Sequence, residues 1–186
     1  MGLKIDRKQD KRVVHACTHM LADIPNGVTV CSSELVAGGI LQEGTALGGK
    51  DAAGLYHVVK TARLTEDATA TTKAYKVAKG LHFKVGDFIM LKVGAKAYKI
   101  TSINTSETLY DTINVGTTLG EAATAGAALV LAAAESADTT SAFKYVPKAM
   151  TGDSYDVEAL NNHFVTAVTI GQFKESVIPA VSDDIK

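Results

Sequence analysis

Ala97-Tyr-Lys-Ile-Thr-Ser-Ile103, a polar turn at Asn104-Thr-Ser-Glu107, and Leu109-Tyr-Asp-Thr-Ile-Asn-Val115 decide the fold class. Successive side chains of a strand point to opposite faces, so a half-buried strand alternates apolar and polar residues. From 109 to 115 the odd positions are Leu, Asp, Ile and Val and the even ones Tyr, Thr and Asn. One face is therefore apolar with a single exception, Asp111. β-branched and aromatic residues dominate both runs, and a turn separates them, which is the pattern of a hairpin.

Working outward, similar runs recur about every ten residues. Upstream lie Leu55-Tyr-His-Val-Val-Lys-Thr-Ala-Arg-Leu64, Ala74-Tyr-Lys-Val77 and, after a Val85-Gly-Asp87 turn, Phe88-Ile-Met-Leu-Lys-Val93 closed by Gly94. Downstream, Ala128-Leu-Val-Leu131 reads as a last strand after Gly126, although Ala122 to Ala137 has helical propensity. Short strands at this spacing predict a mostly β protein with a small barrel or sandwich core over residues 53–136.

The flanks differ in texture. Residues 1–52 are punctuated by Gly27, Gly38, Gly39, Gly44, Gly48 and Gly49, with short apolar pieces such as Val28-Thr-Val30 between them. They read as an extended N-terminal arm with one or two short strands that orders against something else. Residues 137–186 read as an irregular and β C-terminal extension. Asp138-Thr-Thr-Ser141 is linker-like, Val146-Pro147 starts an extended stretch, and Phe164-Val-Thr-Ala-Val-Thr-Ile170 is a strand ended by Gly171. This strand is expected to pack on the core or on a neighbour.

Composition narrows the function classes. The chain has 186 residues, 46% of them hydrophobic, but only 6% aromatic and with no Trp. Much of the apolar fraction is Ala, which buries little surface, so the core is modest and association with further chains is expected. The net charge of −1 gives no global attraction to nucleic acid or to an acidic membrane. Locally, Lys4, Arg7, Lys8, Lys11 and Arg12 outnumber Asp6 and Asp10, so the N-terminal segment is basic: it could lie on an acidic protein surface or on a phosphate backbone, or be a solvated terminus. The start lacks the apolar stretch of a signal peptide, and no apolar run is long enough to span a bilayer. Cys17 and Cys31 do not form a disulfide framework, which fits synthesis in a reducing cytoplasm.

Three patterns invite chemistry. Gly44-Thr-Ala-Leu-Gly-Gly49-Lys50 fits most of a phosphate-binding loop, but Asp51 stands where a magnesium-binding hydroxyl is required, and its carboxylate would repel phosphate. A glycine-rich turn is the expected reading. His15-Ala-Cys17-Thr-His19 could converge on zinc along one face of a strand, but no fourth ligand is near, and Asp23 or Cys31 would have to fold back. Lysines 73, 76, 79, 84, 92, 96 and 99, interleaved with Tyr75, Phe83 and Tyr98, could bind single-stranded nucleic acid, or could be the solvated face of a half-buried sheet. His57, His82 and His163 lie in no recognisable nucleophile pattern, and Glu34, Glu43 and Asp87 read as turn or surface residues. The expectation is a non-enzyme without catalytic residues, cofactor or metal.

Phe83-Lys-Val-Gly-Asp-Phe88, Tyr98-Lys-Ile-Thr-Ser-Ile103 and Tyr110-Asp-Thr-Ile-Asn-Val115 together resemble the β-module of auxiliary head proteins of tailed bacteriophages. So does Gly44-Thr-Ala-Leu-Gly48 leading to Tyr56-His-Val-Val-Lys60, and the tail from Phe143-Lys-Tyr-Val-Pro147 to Pro179 is similar to their C-terminal part. The resemblance is one of texture and order over residues 40–186. It implies a decoration or head-fibre protein, made in the host cytoplasm and located on the virion. Its partner would be the major capsid protein, with further copies of itself as a trimer, or a head-fibre protein, and with neither nucleic acid nor membrane. The basic residues 4–12 would then contact the shell. A nucleic-acid-binding barrel and a tail- or fibre-associated domain are the alternatives.

Overall fold

The alternation at 109–115 becomes an alternation of burial, with Asp111, Ile113 and Val115 inward and Tyr110, Thr112 and Asn114 half-buried. It belongs to an all-β chain. The computed structural model describes residues 15–159 and 161–185, with fourteen strands and no helix among them. In chain order these are β1 (Cys17–Asp23), β2 (Val28–Val30), β3 (Ile40–Leu41), β4 (Ala46–Gly48), β5 (Thr61–Arg63), β6 (Ala74–Ala78) and β7 (Phe88–Met90). There follow β8 (Ala97–Asn104), β9 (Tyr110–Val115), β10 (Ala128–Ala132), β11 (Pro147–Thr151), β12 (Tyr155–Asp156), β13 (His163–Val165) and β14 (Ala167–Phe173).

Strands β5 to β10 form one antiparallel sheet in the order β5-β10-β7-β8-β9-β6. It curls until its edges touch. Just past β5, Leu64 bridges Val77 of β6, and the Thr65 N–H donates to the Lys76 carbonyl at 3.0 Å. The edges meet at that bridge rather than along a ladder, so the sheet is barrel-like and not fully closed. Tyr75, Phe83, Ile89, Ile100, Ile113 and Leu129 fill its interior.

Strand β10 is buried at all five positions. Leu129 and Leu131 face the barrel interior, while Ala128, Val130 and Ala132 pack with Ala46, Val59 and Met90 on its other side. A strand covered on both faces reads as a continuous apolar run, which is why 122–137 could be mistaken for a helix by propensity. Its alanines are small because a second layer lies close against them.

That second layer is built from the two flanks, and their pairing is nested. Cys17 lies opposite Phe173, Val30 opposite His163, Leu41 opposite Tyr155 and Gly48 opposite Pro147. Thus β1 pairs with β14, β2 with β13, β3 with β12 and β4 with β11, all antiparallel. Val30, Leu41, Leu47, Val58 and Val165 form its core. The N-terminal segment therefore orders against the chain's own C-terminal segment.

Each flank carries four strands, more than the one or two and the single one expected. Several are two or three residues long, too short to show a period. The run at 164–170 is also split: the Thr166 N–H donates to the Tyr155 hydroxyl at 3.0 Å instead of to a strand, and β14 continues through Gly171 to Phe173. The run at 55–64 is a strand only at β5. Before it the chain passes between the layers, pairing by turns with Thr29, Gly48 and Ala46.

Because Ile113 and Leu109 occupy the same face in sequence but only Ile113 is buried, they separate packing from pattern. Ile113→Ala is expected to cost about 2–5 kcal/mol, and Leu109→Ala, at a position 84% exposed, under about 0.5 kcal/mol. Urea denaturation of both variants measures the difference.

Candidate functional site

The residues singled out by sequence meet different fates. Lys4, Arg7, Lys8, Lys11 and Arg12 lie outside the described residues. His15 and His19 are exposed, and a bulge between Cys17 and His19 breaks the alternation that would have aligned the three side chains. Among the described residues no group of three or more His, Cys, Asp or Glu is placed to hold a metal ion. What fixes this segment is Glu43, buried although it reads as a surface residue. Its Oε2 accepts from the Ala16 N–H at 3.0 Å and its Oε1 from the Cys17 N–H at 2.7 Å, with His15 Nδ1 3.3 Å from Oε2.

Gly44–Lys50 is no phosphate loop: its centre is strand β4. Its glycines serve close approach instead. A Cβ on Gly48 would stand 2.5 Å from Tyr145 Cβ, and one on Gly44, whose φ is +79°, 2.3 Å from Ile178 Cγ2. The basic-aromatic set divides between surface and interior. Tyr75, Phe83 and Tyr98 are buried, whereas Lys76 pairs with Glu66 at 2.9 Å and Lys79 with Asp111 at 2.6 Å. The Lys79 contact explains the polar exception in β9, a buried carboxylate provided with a cation.

Two features remain as candidates. The first is the ribbon formed by β1 and β14. From Thr18 to Leu21 and from Thr169 to Gln172 it is exposed on both faces, and it displays Met20, Leu21 and Ile170. Bulging places Met20–Ala22 against only Gly171 and Ile170, so Leu21 is the extra residue. Strand β1 is an edge: among the described residues, no strand pairs with its outer side. No helix among the described residues is long and apolar enough to cross a membrane.

The second is a polar cluster joining the two layers. Glu34 follows β2, Asp51 and His57 lie between β4 and β5, and Lys144 and Tyr145 precede β11. The Tyr145 hydroxyl donates to Glu34 Oε1 at 2.5 Å and the Lys144 ammonium to the same oxygen at 3.1 Å. His57 Nδ1 lies 3.1 Å from Glu34 Oε2 and His57 Nε2 lies 3.1 Å from Asp51 Oδ2. The imidazole stacks on the Tyr145 ring, 4.3 Å between centroids and 12° apart. Gly48 makes this possible, since any side chain there would displace Tyr145. Nearby, the buried Lys60 ammonium donates to Asp87 Oδ2 at 2.7 Å.

Charge states follow from these contacts. Burial pushes the Glu34 carboxyl up, but hydrogen bonds from Tyr145, Lys144 and His57 outweigh it and hold the carboxyl below its ordinary range. The Leu55 N–H, then His57, hold Asp51 low. Burial, reinforced by the Glu34 carboxylate, keeps the Tyr145 hydroxyl protonated far above neutrality. Burial lowers Lys60, with Asp87 opposing it. His82 is also pushed down by burial; its Nε2 lies 3.0 Å from the Ile40 carbonyl, a bond within the fold.

A cleft of about 170 Å³ between the layers is bordered by Lys60, Lys79, Arg63 and Pro179. Asp87 and Asp111 already neutralise its lysines. Compared with family models, curated proteins and solved structures, the chain finds no match.

The Tyr145–Glu34 bond has an acid signature. A carboxyl lowered in the folded chain contributes stability above its unfolded value near 4.5, and that stability is lost as pH falls through the folded value. Tyr145→Phe is expected to cost about 1–3 kcal/mol at neutral pH and to move acid unfolding to higher pH. Circular dichroism across an acid titration reads both effects.

Proposed function

We propose that this chain is a structural virion protein that binds the outer surface of a tailed-phage capsid. In this reading it stabilises the shell or anchors a head fibre, and the β1–β14 ribbon docks on the major capsid protein. The ribbon is the observation that carries the reading. Two strands exposed on both faces, with Met20, Leu21 and Ile170 in solvent, leave apolar surface that a partner can cover. The outer edge of β1 offers main-chain groups for strand addition, a mode in which backbone hydrogen bonds supply affinity and side chains supply selectivity.

The basic residues Lys4, Arg7, Lys8, Lys11 and Arg12 come immediately before this edge in sequence. They supply the charge that attracts an acidic shell, while the apolar side chains supply burial. Further copies of the chain, as a trimer, would pack beside it on the lattice. The nucleic-acid reading loses support, because Tyr75, Phe83 and Tyr98 are inside the protein and cannot stack on bases.

Cosedimentation with capsids stripped of auxiliary proteins tests the proposal. The wild-type chain is expected to bind. The double variant Leu21→Ser, Ile170→Ser, and separately reversal of the five basic residues to Glu, should each weaken binding by about tenfold or more. Undiminished binding by both variants would sink the ribbon as the contact. Binding to isolated tails but not to capsids would move the protein to the tail.

A further inference from the structure

Lys60 is a buried nucleophile for which the ribbon has no use. Five lysines pair with acids among the described residues, and four of them keep between 36% and 60% of the side chain exposed. Lys60 keeps 2%. Its ammonium lies 2.7 Å from Asp87 Oδ2, and the Asp87 side chain is 16% exposed. Taking an ammonium out of water favours the neutral amine, which is the form that attacks a carbonyl carbon. Burial pulls Lys60 in that direction, against the charge of Asp87.

Both partners are fixed through their own main chains. The Leu131 N–H donates to the Lys60 carbonyl at 3.0 Å. The Ile100 N–H donates to the Asp87 carbonyl at 2.8 Å, and the Asp87 N–H donates to the Lys84 carbonyl at 3.0 Å. The Lys84 N–H also donates to Asp87 Oδ2 at 2.9 Å. The carboxyl therefore has a main-chain donor of its own, the kind of contact that stabilises charge on an oxygen when its carbon is attacked. An amine and a carboxyl held in this way react as an intramolecular pair at high effective concentration. Lys79 and Asp111 lack these conditions. They lie 2.6 Å apart, but the lysine is exposed and donates also to the Thr105 carbonyl at 2.9 Å.

We propose that Lys60 and Asp87 condense spontaneously into an intramolecular isopeptide bond. One ammonium proton passes to the carboxylate, which leaves a neutral amine beside a neutral acid. The carboxyl turns about its Cβ–Cγ bond and presents the carbon to the amine lone pair. Nζ then bonds to Cγ, and the carbonyl electron pair moves onto its oxygen. A proton passes from the nitrogen to the hydroxyl oxygen, the carbonyl re-forms, and the C–OH bond breaks to release one water. No atom is oxidised or reduced. Because so little of the lysine meets solvent, the site readmits little water, which disfavours hydrolysis of the new amide. The bond would span β10, which lies between β5 and β7 in the sheet. Lys60 immediately precedes β5 and Asp87 immediately precedes β7. The cross-link is independent of what the ribbon binds.

Mass spectrometry of the denatured full chain, after incubation of the folded protein, reads the bond directly. The wild type is expected to be lighter by one water than its sequence requires. A proteolytic digest should contain a branched peptide that joins Lys60 to Asp87. Lys60→Arg and Asp87→Ala should each lose no water. A wild type that keeps its full mass would overturn the proposal, and so would a loss of water that maps to other residues or persists in either variant. The branched peptide is sought in the wild type, so the test decides even where a variant does not fold.

Discussion

The nested pairing of the two chain ends is the constraint on which the second layer depends. None of β1 to β4 has its main partner nearby in sequence; β1 waits for β14, and β4 for β11. Closing so long a loop costs entropy that is recovered only when several pairs form together. The barrel-like sheet supplies the platform. Its strands are consecutive, β7, β8 and β9 pair as two successive hairpins, and the outward side of β10 gives the flanks an apolar surface to fold against. Contacts of such sequence separation form slowly compared with the local hairpins of the barrel.

The two layers are joined by apolar contact, and the buried polar groups within them are matched to one another. Asp87 neutralises Lys60, Glu43 is taken up by two backbone N–H groups, and Asp111 meets Lys79. A buried charge without such a partner would be strongly destabilising. The polar residues inside this thin core therefore specify which segments lie together, more than they add net stability.

This division explains what could be read from sequence. Strands β6 to β9 were legible because alternation is a local property and each is bounded by a turn, and β10 was legible only as a short apolar run after Gly126. Strand β9 even carried the clue of its buried carboxylate, as the one polar residue on an apolar face. The partner strands of the flanks were not legible, since two-residue strands such as β3 have no period and their register is set by residues far along the chain. The glycines of 44–49 matched part of a phosphate loop's spacing and read as a turn, whereas glycine marks close approach of any kind, and here the approaching groups are Tyr145 and Ile178. The cluster around His57 was invisible for a related reason. Glu34, Asp51 and Tyr145 lie in turns or just before a strand, where no periodicity signals which side chains converge, and only the fold shows that Glu34 is not a surface acid.

The antiparallel match of Cys17 with Phe173 also has a mechanical meaning. Tension that separates the two ends of the chain loads the β1–β14 ladder at one end, so its hydrogen bonds would open one after another, as in a zipper. Before that happens, the last residues must peel from the barrel, where Asp184 accepts from the Val93 N–H at 2.9 Å and Ala180 is buried beside β10. Load applied along the strands would instead strain many of those bonds together. The direction of pull, rather than the number of bonds, would then decide how much force this layer withstands.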